Sequence, residues 1–169
     1  MSLPIKTIIG VMGPGEGATP EQNIVAFELG KAIAQEGWVT LTGGRSFGVM
    51  DAAMKGACDA NGLTIGILPT ETTKGASENA QIRIVTGMNS GRNYMAVLSS
   101  DVVVVLGMAA GTASEVALAI KANKKIILLN QDDVTVRFFK NIGTYKILVA
   151  NNIEETISHI KEYLSVNRN

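Results

Sequence analysis

Arg92 and Glu115 are the two residues of this chain best suited to chemistry on a ligand. Each is near the predicted start of a helix that faces the crevice beyond the strands. A guanidinium can bind a phosphate through two parallel hydrogen bonds. A carboxylate in the same cleft can bind a sugar hydroxyl or act as acid or base at a glycosidic carbon. The alternative is that the two side chains form an ion pair that ties two helices together.

The stretch around Glu115 has the sequence DVVVVLGMAAGTASEVALAIKA. Its apolar run, Val102–Leu106, predicts a strand buried on both faces. The run breaks at Gly107, and a helical pattern begins at about Gly111 and Thr112. The first N–H groups of a helix have no partner within it and lie at the positive end of its dipole, so this junction predicts an anion site.

Two further glycine-rich turns follow predicted strands. The first, GVMGPGEG, contributes Gly13. The second, TGGRSFGVM, supplies two glycines that permit a positive φ and close approach to a ligand, a flexible cation, and a helix start that could offer N–H groups to a phosphate. None of the three turns fits the dinucleotide fingerprint. Because each follows a strand of parallel type, they predict one shared ligand crevice. The candidates from the second turn are Gly43, Gly44, Arg45, Gly48, Val49 and Met50.

Other reactive side chains do not form a recognisable set. His159 is in the predicted last helix, far in sequence from every glycine turn, and we expect it on the surface. Cys58 is the single cysteine, which excludes an internal disulfide, and its helical surroundings predict a packed thiol. With one histidine in this place, no Ser-His-Asp or Cys-His set can be assembled. We also expect no metal site.

The charge balance limits the partners of the chain. It has 169 residues, 15 basic and 15 acidic, and only 18% are charged. Zero net charge argues against nucleic acid or an anionic membrane as a general partner. We expect one domain over residues 1–169 and, without a long apolar run or signal pattern, a cytoplasmic protein. The low charge and the methionine-rich helix around Met50 and Met54 predict a homodimer or a dimer of dimers, packed through apolar helix faces.

Strand-like and helix-like segments alternate, which predicts an α/β fold: a three-layer, doubly wound parallel sheet of about seven strands with helices on both faces. In such sheets ligands bind outside the carboxyl ends of the strands, where the winding direction reverses. Residues 70–80 have no pattern and are expected to form a loop or lid. The predicted strands are Lys6–Val11, Trp38–Thr42, Leu63–Leu68, Ile82–Val85, Val102–Leu106, Lys125–Leu129 and Lys146–Val149.

Three segments, TGGRSFGVM, GMNSGRN and GTASE, resemble those of the lysine-decarboxylase-like, or Lonely-Guy-like, family of Rossmann-fold proteins, and the resemblance spans the chain. Enzymes of that family are nucleoside 5′-monophosphate phosphoribohydrolases, which release a free base from a nucleotide. The resemblance implies that Arg92 and Glu115 act at the ribose, and that Gly111 and Thr112 bind the phosphate. It also matches the earlier glycine turn at Gly43, Gly44, Gly48, Val49 and Met50.

The chain departs from the enzymes of that family at several positions. Met108 and Ala109 stand where the enzymes have glycines, Ser114 replaces one of two glutamates, and Asn93 replaces a lysine. With these residues the chain is more similar to a branch of small proteins. That branch resembles the molybdenum-cofactor carrier proteins, which hold a pterin monophosphate without turning it over.

Three functional hypotheses follow. The favoured one is binding of a small phosphate-bearing ligand, a nucleotide or a phosphorylated pterin such as the molybdenum cofactor, with no chemistry. The second is a phosphoribohydrolase in which Glu115 assists at the anomeric carbon and Arg92 holds the sugar or phosphate. The third is an oligomeric scaffold whose crevice is vestigial. The only cofactor expectation is this ligand itself, a nucleotide or the molybdenum cofactor.

Overall fold

Strands and helices alternate in the computed structural model of the chain, which describes residues 5–143 and 146–165. A 3-10 turn, Asn89–Gly91, leads directly into the third α-helix. The strands are β1 (Ile8–Met12), β2 (Val39–Thr42), β3 (Thr64–Leu68), β4 (Ile82–Val85), β5 (Val102–Leu106), β6 (Lys125–Leu129) and β7 (Ile147–Ala150). The α-helices are α1 (Pro20–Gln35), α2 (Gly48–Asp59), α3 (Arg92–Leu98), α4 (Ala110–Lys121), α5 (Asp133–Ile142) and α6 (Ile153–Ser165).

The seven strands form one parallel sheet in the order β4-β3-β2-β1-β5-β6-β7. The winding direction reverses between β1 and β5, which are neighbours in the sheet, with Met12 paired to Val105 near their carboxyl ends. The chain leaves these two strands in opposite directions, so a crevice opens beyond them. The predicted α/β fold with a doubly wound sheet is confirmed.

The central strand β5 is buried along its whole length, as its unbroken valine run predicts. On one face of the sheet, Leu29 of α1, Val49 of α2 and Ile160 of α6 pack against it. On the other face, Val97 of α3 and Val116 of α4 pack, together with α5. Helices therefore cover both faces, and the turns at the carboxyl edge are held between two packed layers.

Helices α1 and α2 approach each other closely enough that their backbones touch. A Cβ atom added at Gly30 would overlap the carbonyl of Ala53, and one added at Gly56 would overlap the carbonyl of Phe27. Only glycine fits at these two crossings. The pair of glycines therefore fixes α2, and with it the turn that precedes α2.

The methionines of α2 are part of the protomer's own core. Met54 is fully buried and Met50 is 8% exposed. The side chains that suggested packing between subunits therefore pack inside one chain. Large exposed apolar residues are found instead on α1, β4, α3 and α5, among them Ile24, Val85, Leu98 and Phe138.

The residue pattern predicts a short helix over Val134–Phe139, and helix α5 is longer than this at both ends. The Asp132 side chain caps its start by accepting a hydrogen bond from the backbone N–H of Thr135 at 2.8 Å, and the helix continues to Ile142, whose side chain is exposed. An exposed apolar residue adds nothing to a buried periodic pattern, so the sequence did not indicate the last turn. In the part of the chain that the structure describes, no helix combines the length and apolar character needed to cross a membrane.

Candidate ligand-binding site

A cavity of about 170 Å³ lies at the carboxyl edge of the sheet, beyond the point where the winding reverses. Its wall combines the turn after β1 with the first residues of α3 and α4. Arg92 and Glu115 are the charged side chains of this wall. The lining residues are Val11, Met12, Gly13, Pro14, Gly15, Gly43, Met50, Arg92, Asn93, Ala109, Gly111, Thr112 and Glu115.

The N-terminus of α4 presents free N–H groups at this cavity. Ala109, at the cap position, makes no capping hydrogen bond with its side chain, and Ala113 is the first residue whose N–H bonds back into the helix, to the Ala109 carbonyl at 2.8 Å. No residue in the described ranges accepts from the N–H groups of Ala110, Gly111 or Thr112. The space beside Gly111 is open. Such an uncapped terminus has the geometry of an anion site.

Arg92, the first residue of α3, has a guanidinium nitrogen without a partner. Its Nη1 atom is buried, and within the described residues nothing hydrogen-bonds to it. The guanidinium lies directly against Gly43, where a Cβ atom would overlap Nη1. Burial lowers the pKa of Arg92 from its ordinary value; the charge of Glu115 opposes this effect and that of Arg45 adds to it. An arginine stays charged nonetheless, so this is a half-buried cation with an unused, buried donor.

Glu115 lies one turn into α4 and is only 6% exposed. Burial raises the pKa of its carboxyl group to about 7, although the positive charge of Arg92 acts in the opposite direction. Among the described residues, the ion pairs within 4.0 Å do not include one between Arg92 and Glu115. The two side chains interact across the cavity rather than forming the direct bridge considered from the sequence.

Asn93 and Ser114 join the two helices that carry these charged groups. The Asn93 amide donates to Ser114 Oγ at 3.0 Å, and Ser114 Oγ donates to the carbonyl of Gly111 at 2.6 Å. Both positions were noted only as departures from a family pattern. The structure shows that they bond to one another, so they fix the start of α3 relative to the start of α4.

Of the candidates from the turn after β2 and the start of α2, some line the cavity and others pack behind it. Gly43 and Met50 line the cavity. Gly44 adopts φ +73° and packs on the backbone of Gly66, while the Arg45 guanidinium lies 5.1 Å from the ring of Phe47. Gly44 and Arg45 are therefore outside the wall.

The first two residues of α2, Gly48 and Val49, are also outside the cavity wall. Gly48 adopts φ +65° and packs against the carbonyls of the turn after β1, and the N–H of Val49 donates to the Pro14 carbonyl at 3.0 Å. One N–H of this helix start is thus already engaged. Gly107, with φ +72°, is outside the wall too, and its carbonyl accepts from Gln131 at 3.1 Å.

Of the predicted residues, the structure therefore brings seven together on one wall: Gly13, Gly43, Met50, Arg92, Gly111, Thr112 and Glu115. Sequence reasoning did not select the other lining residues, Val11, Met12, Pro14, Gly15, Asn93 and Ala109. The GPG sequence after β1 was the available signal for two of them. It marked a turn but not which of its atoms face the crevice.

Residues 70–80 are attached to the turn after β2. The N–H of Ser77 donates to the carbonyl of Gly44 at 2.8 Å, and the Ser77 hydroxyl donates to Asp51. The amide of Asn79 donates to the same carboxylate at 3.3 Å. These bonds hold the segment against the start of α2.

The remaining reactive groups are away from the cavity. Cys58 is half-buried and contacts Thr64 and the carbonyl of Asn79, and His159 contacts the carbonyl of Val149 at 3.2 Å. Neither side chain lines the cavity. In residues 5–143 and 146–165, no three His, Cys, Asp or Glu side chains are grouped so that they could hold a metal ion.

A family model described as the SLOG cluster4 family matches residues 6–157. The chain belongs to the SLOG cluster4 family. This SLOG cluster4 protein is also 40% identical over 121 residues to an uncharacterized protein of Archaeoglobus fulgidus, an alignment that covers 72% of this chain and 78% of the relative.

Two solved structures with high identity share the fold of this SLOG cluster4 protein. The molybdenum cofactor binding protein of Rippkaea orientalis is 51% identical, with a TM-score of 0.93 over 95% of this chain and 98% of that one. The molybdenum cofactor carrier protein of Chlamydomonas reinhardtii is 48% identical, with a TM-score of 0.89 over 95% and 99%. The resemblance seen in the sequence, with its carrier-like branch, is confirmed.

Proposed function

We propose that this chain binds a phosphate-bearing pterin of the molybdenum-cofactor type and carries it without chemical change. One observation carries the proposal: the buried, unpartnered Nη1 atom of Arg92 shares a cavity with the free N–H groups at the start of α4. A phosphate group supplies acceptors for both sets of donors. The likeness to two proteins named for this cofactor supports the pterin as the rest of the ligand.

The size of the cavity supports phosphate as the anchored part of the ligand. At about 170 Å³ it is smaller than the roughly 300–1,000 Å³ of pockets that enclose whole small molecules. The phosphate end would be enclosed against α4, and the pterin with its metal would extend outward from the cavity. Gly111, which faces open space, leaves that approach clear.

The test is retention of the cofactor by the purified protein. The chain is incubated anaerobically with molybdenum cofactor and passed through a desalting column, and molybdenum and phosphopterin are measured in the protein fraction. We expect both to be retained, and Arg92→Ala to lose at least tenfold in retention. Arg137→Ala, on the exposed face of α5, is the matched control and should bind as the parent does. No retention by the parent protein, or equal retention by Arg92→Ala, would overturn the proposal.

A second candidate, hydrolysis of nucleoside monophosphates, is favoured by one observation. The pKa of Glu115 is raised to about 7 in the cavity that holds Arg92, and such a pKa suits proton transfer near neutral pH. Chromatography after incubation with adenosine, guanosine, cytidine and uridine monophosphates tests it. Base release that is lost in Glu115→Gln would establish the enzyme. If the protein neither retains the cofactor nor releases a base, the result favours the scaffold hypothesis.

A further inference from the structure

The charges on the cavity wall balance before any ligand charge is added. Arg92 contributes one positive charge and Glu115 one negative charge, and the other lining residues are neutral. Of the elements around Glu115, α3 supplies Arg92, and the turn after β2 supplies Arg45, which acts on Arg92 from outside the wall. The lining residues of the turn after β1 and of α2 are uncharged, and Glu16 of that turn is exposed and lies outside the wall.

A divalent anion at the start of α4 disturbs this balance. It would share a cavity of about 170 Å³ with the Glu115 carboxylate, a side chain that is only 6% exposed and therefore weakly screened by water. Like charges at such a site disfavour ionisation, and the group that can change its charge most readily is the carboxyl. In its protonated form Glu115 also gains an O–H group that can donate a hydrogen bond to the anion. Without its negative charge it no longer competes with the anion for Arg92.

We propose that binding of a divalent anion in this cavity takes up one proton at Glu115, so that the protein releases its phosphate-bearing ligand as the pH rises. The inference rests on the proposed function, because the anion is the phosphate of that ligand. It assigns Glu115 a role in a protein that performs no hydrolysis: a carboxyl group that links ligand affinity to pH.

The state of Glu115 without ligand supports this assignment. Burial has already raised the pKa of its carboxyl to about 7, so the proton required is available near neutral pH. Above that pH each binding event must bring a proton with it. By linkage, the affinity should then fall by about tenfold for each further pH unit.

Sulfate is the probe, because any proton taken up when it binds must be taken up by the protein and not by the ligand. Phosphate titrates near neutral pH, whereas sulfate stays divalent over the range of the experiment. Isothermal titration calorimetry between pH 5.5 and 8.5, in pairs of buffers with different ionisation enthalpies, measures both affinity and proton uptake. We expect about one proton per sulfate at pH 8, none at pH 5.5, and affinity that falls by about tenfold per pH unit above 7.

Two variants complete the design. Glu115→Gln should bind sulfate with an affinity that does not depend on pH and should take up no proton. Glu28→Gln, on the exposed side of α1, removes a carboxylate outside the cavity and should behave as the parent does. The measurement on the parent protein does not depend on how well either variant folds.

The outcomes distinguish the inference from the proposed function. Sulfate affinity that is flat with pH in the parent protein, or pH dependence that persists unchanged in Glu115→Gln, overturns the inference. If the cofactor is still retained, the proposed function stands without it. If the parent protein retains neither cofactor nor sulfate, the proposed function fails and the inference fails with it. Cofactor retention without sulfate binding at pH 5.5 also refutes the inference.

Discussion

At the scale of single residues, Gly43 and Arg92 share a space that has room for one side chain only. A methyl group at position 43 would overlap the guanidinium of Arg92. The Arg92 side chain is long and flexible, so it can move away from the added methyl group. We therefore expect Gly43→Ala to weaken sulfate and cofactor binding by at least tenfold while lowering the free energy of unfolding by only about 1 kcal/mol. Calorimetry and denaturant titration measure the two effects. Gly17→Ala, where a Cβ atom meets nothing within 4 Å, is the control.

Glu115 predicts a second effect, on stability. Its pKa is about 7 in the folded protein against an ordinary value of 4.5, so the native state binds more protons than the unfolded state between these pH values. The free energy of unfolding should therefore fall by about 3 kcal/mol as the pH rises from 4.5 to 7 and then level off. Glu115→Gln should remove this fall. Denaturant titrations of both proteins at pH 5 and pH 8 test it. If the free energy of unfolding changes by the same amount between these pH values in the parent protein and in Glu115→Gln, the prediction is contradicted.

Sequence reasoning at this scale found the charged residues but not their neighbours. Arg92 and Glu115 could be selected because their residue types limit what they do. The bond between Asn93 and Ser114 could not, since the pair is 21 residues apart and neither residue type implies the other. Gly43 was expected to admit a ligand to the backbone. The structure adds that a protein side chain uses that room.

At the scale of elements, the start of α4 allows stability and binding to be changed in opposite directions. An aspartate at position 111 would lie in the first turn, where a negative charge stabilises a helix by about 0.3–1 kcal/mol. The same charge would face the bound anion. We expect Gly111→Asp to raise the free energy of unfolding and to reduce sulfate affinity at least tenfold. Gly111→Asn, uncharged and of equal size, is the control. Unchanged affinity in Gly111→Asp would show that the anion binds elsewhere.

The strands were predictable because a parallel strand buried on both faces is a continuous apolar run, as in β5. The start of α1 was predictable because Thr19-Pro20 is a typical N-cap followed by a first-turn proline, and the structure adds that Gln22 completes a capping box with Thr19. Exposure was not predictable. Three of the four residues of β4 are apolar and the fourth is arginine, a pattern that does not indicate exposure. All four are exposed because β4 is the edge strand of the sheet. The position of a strand in the sheet is a property of the whole chain.

At the scale of the whole molecule, the exposed apolar residues of β4 and α3 predict where the expected homodimer forms. Their large side chains lie on neighbouring elements at one edge, and a protein of zero net charge has little repulsion against self-association. We expect a dimer by light scattering at micromolar concentration and a monomer for Leu98→Glu. Asn141→Glu adds the same charge on exposed α5 and should remain dimeric. A monomeric parent protein would contradict the prediction.

The reversal of winding between β1 and β5 has a consequence for the protein during its synthesis. The ribosome releases β1 to β4 first, and these strands can begin to pack while α4 is still missing. The anion site needs groups from both sides of the reversal: the turn after β1, then Arg92, then α4. A nascent chain therefore has no affinity for the ligand until residue 115 has left the exit tunnel. Loading therefore begins only once the first turns of α4 have emerged, and the proposed ligand cannot assist the folding steps that precede this point.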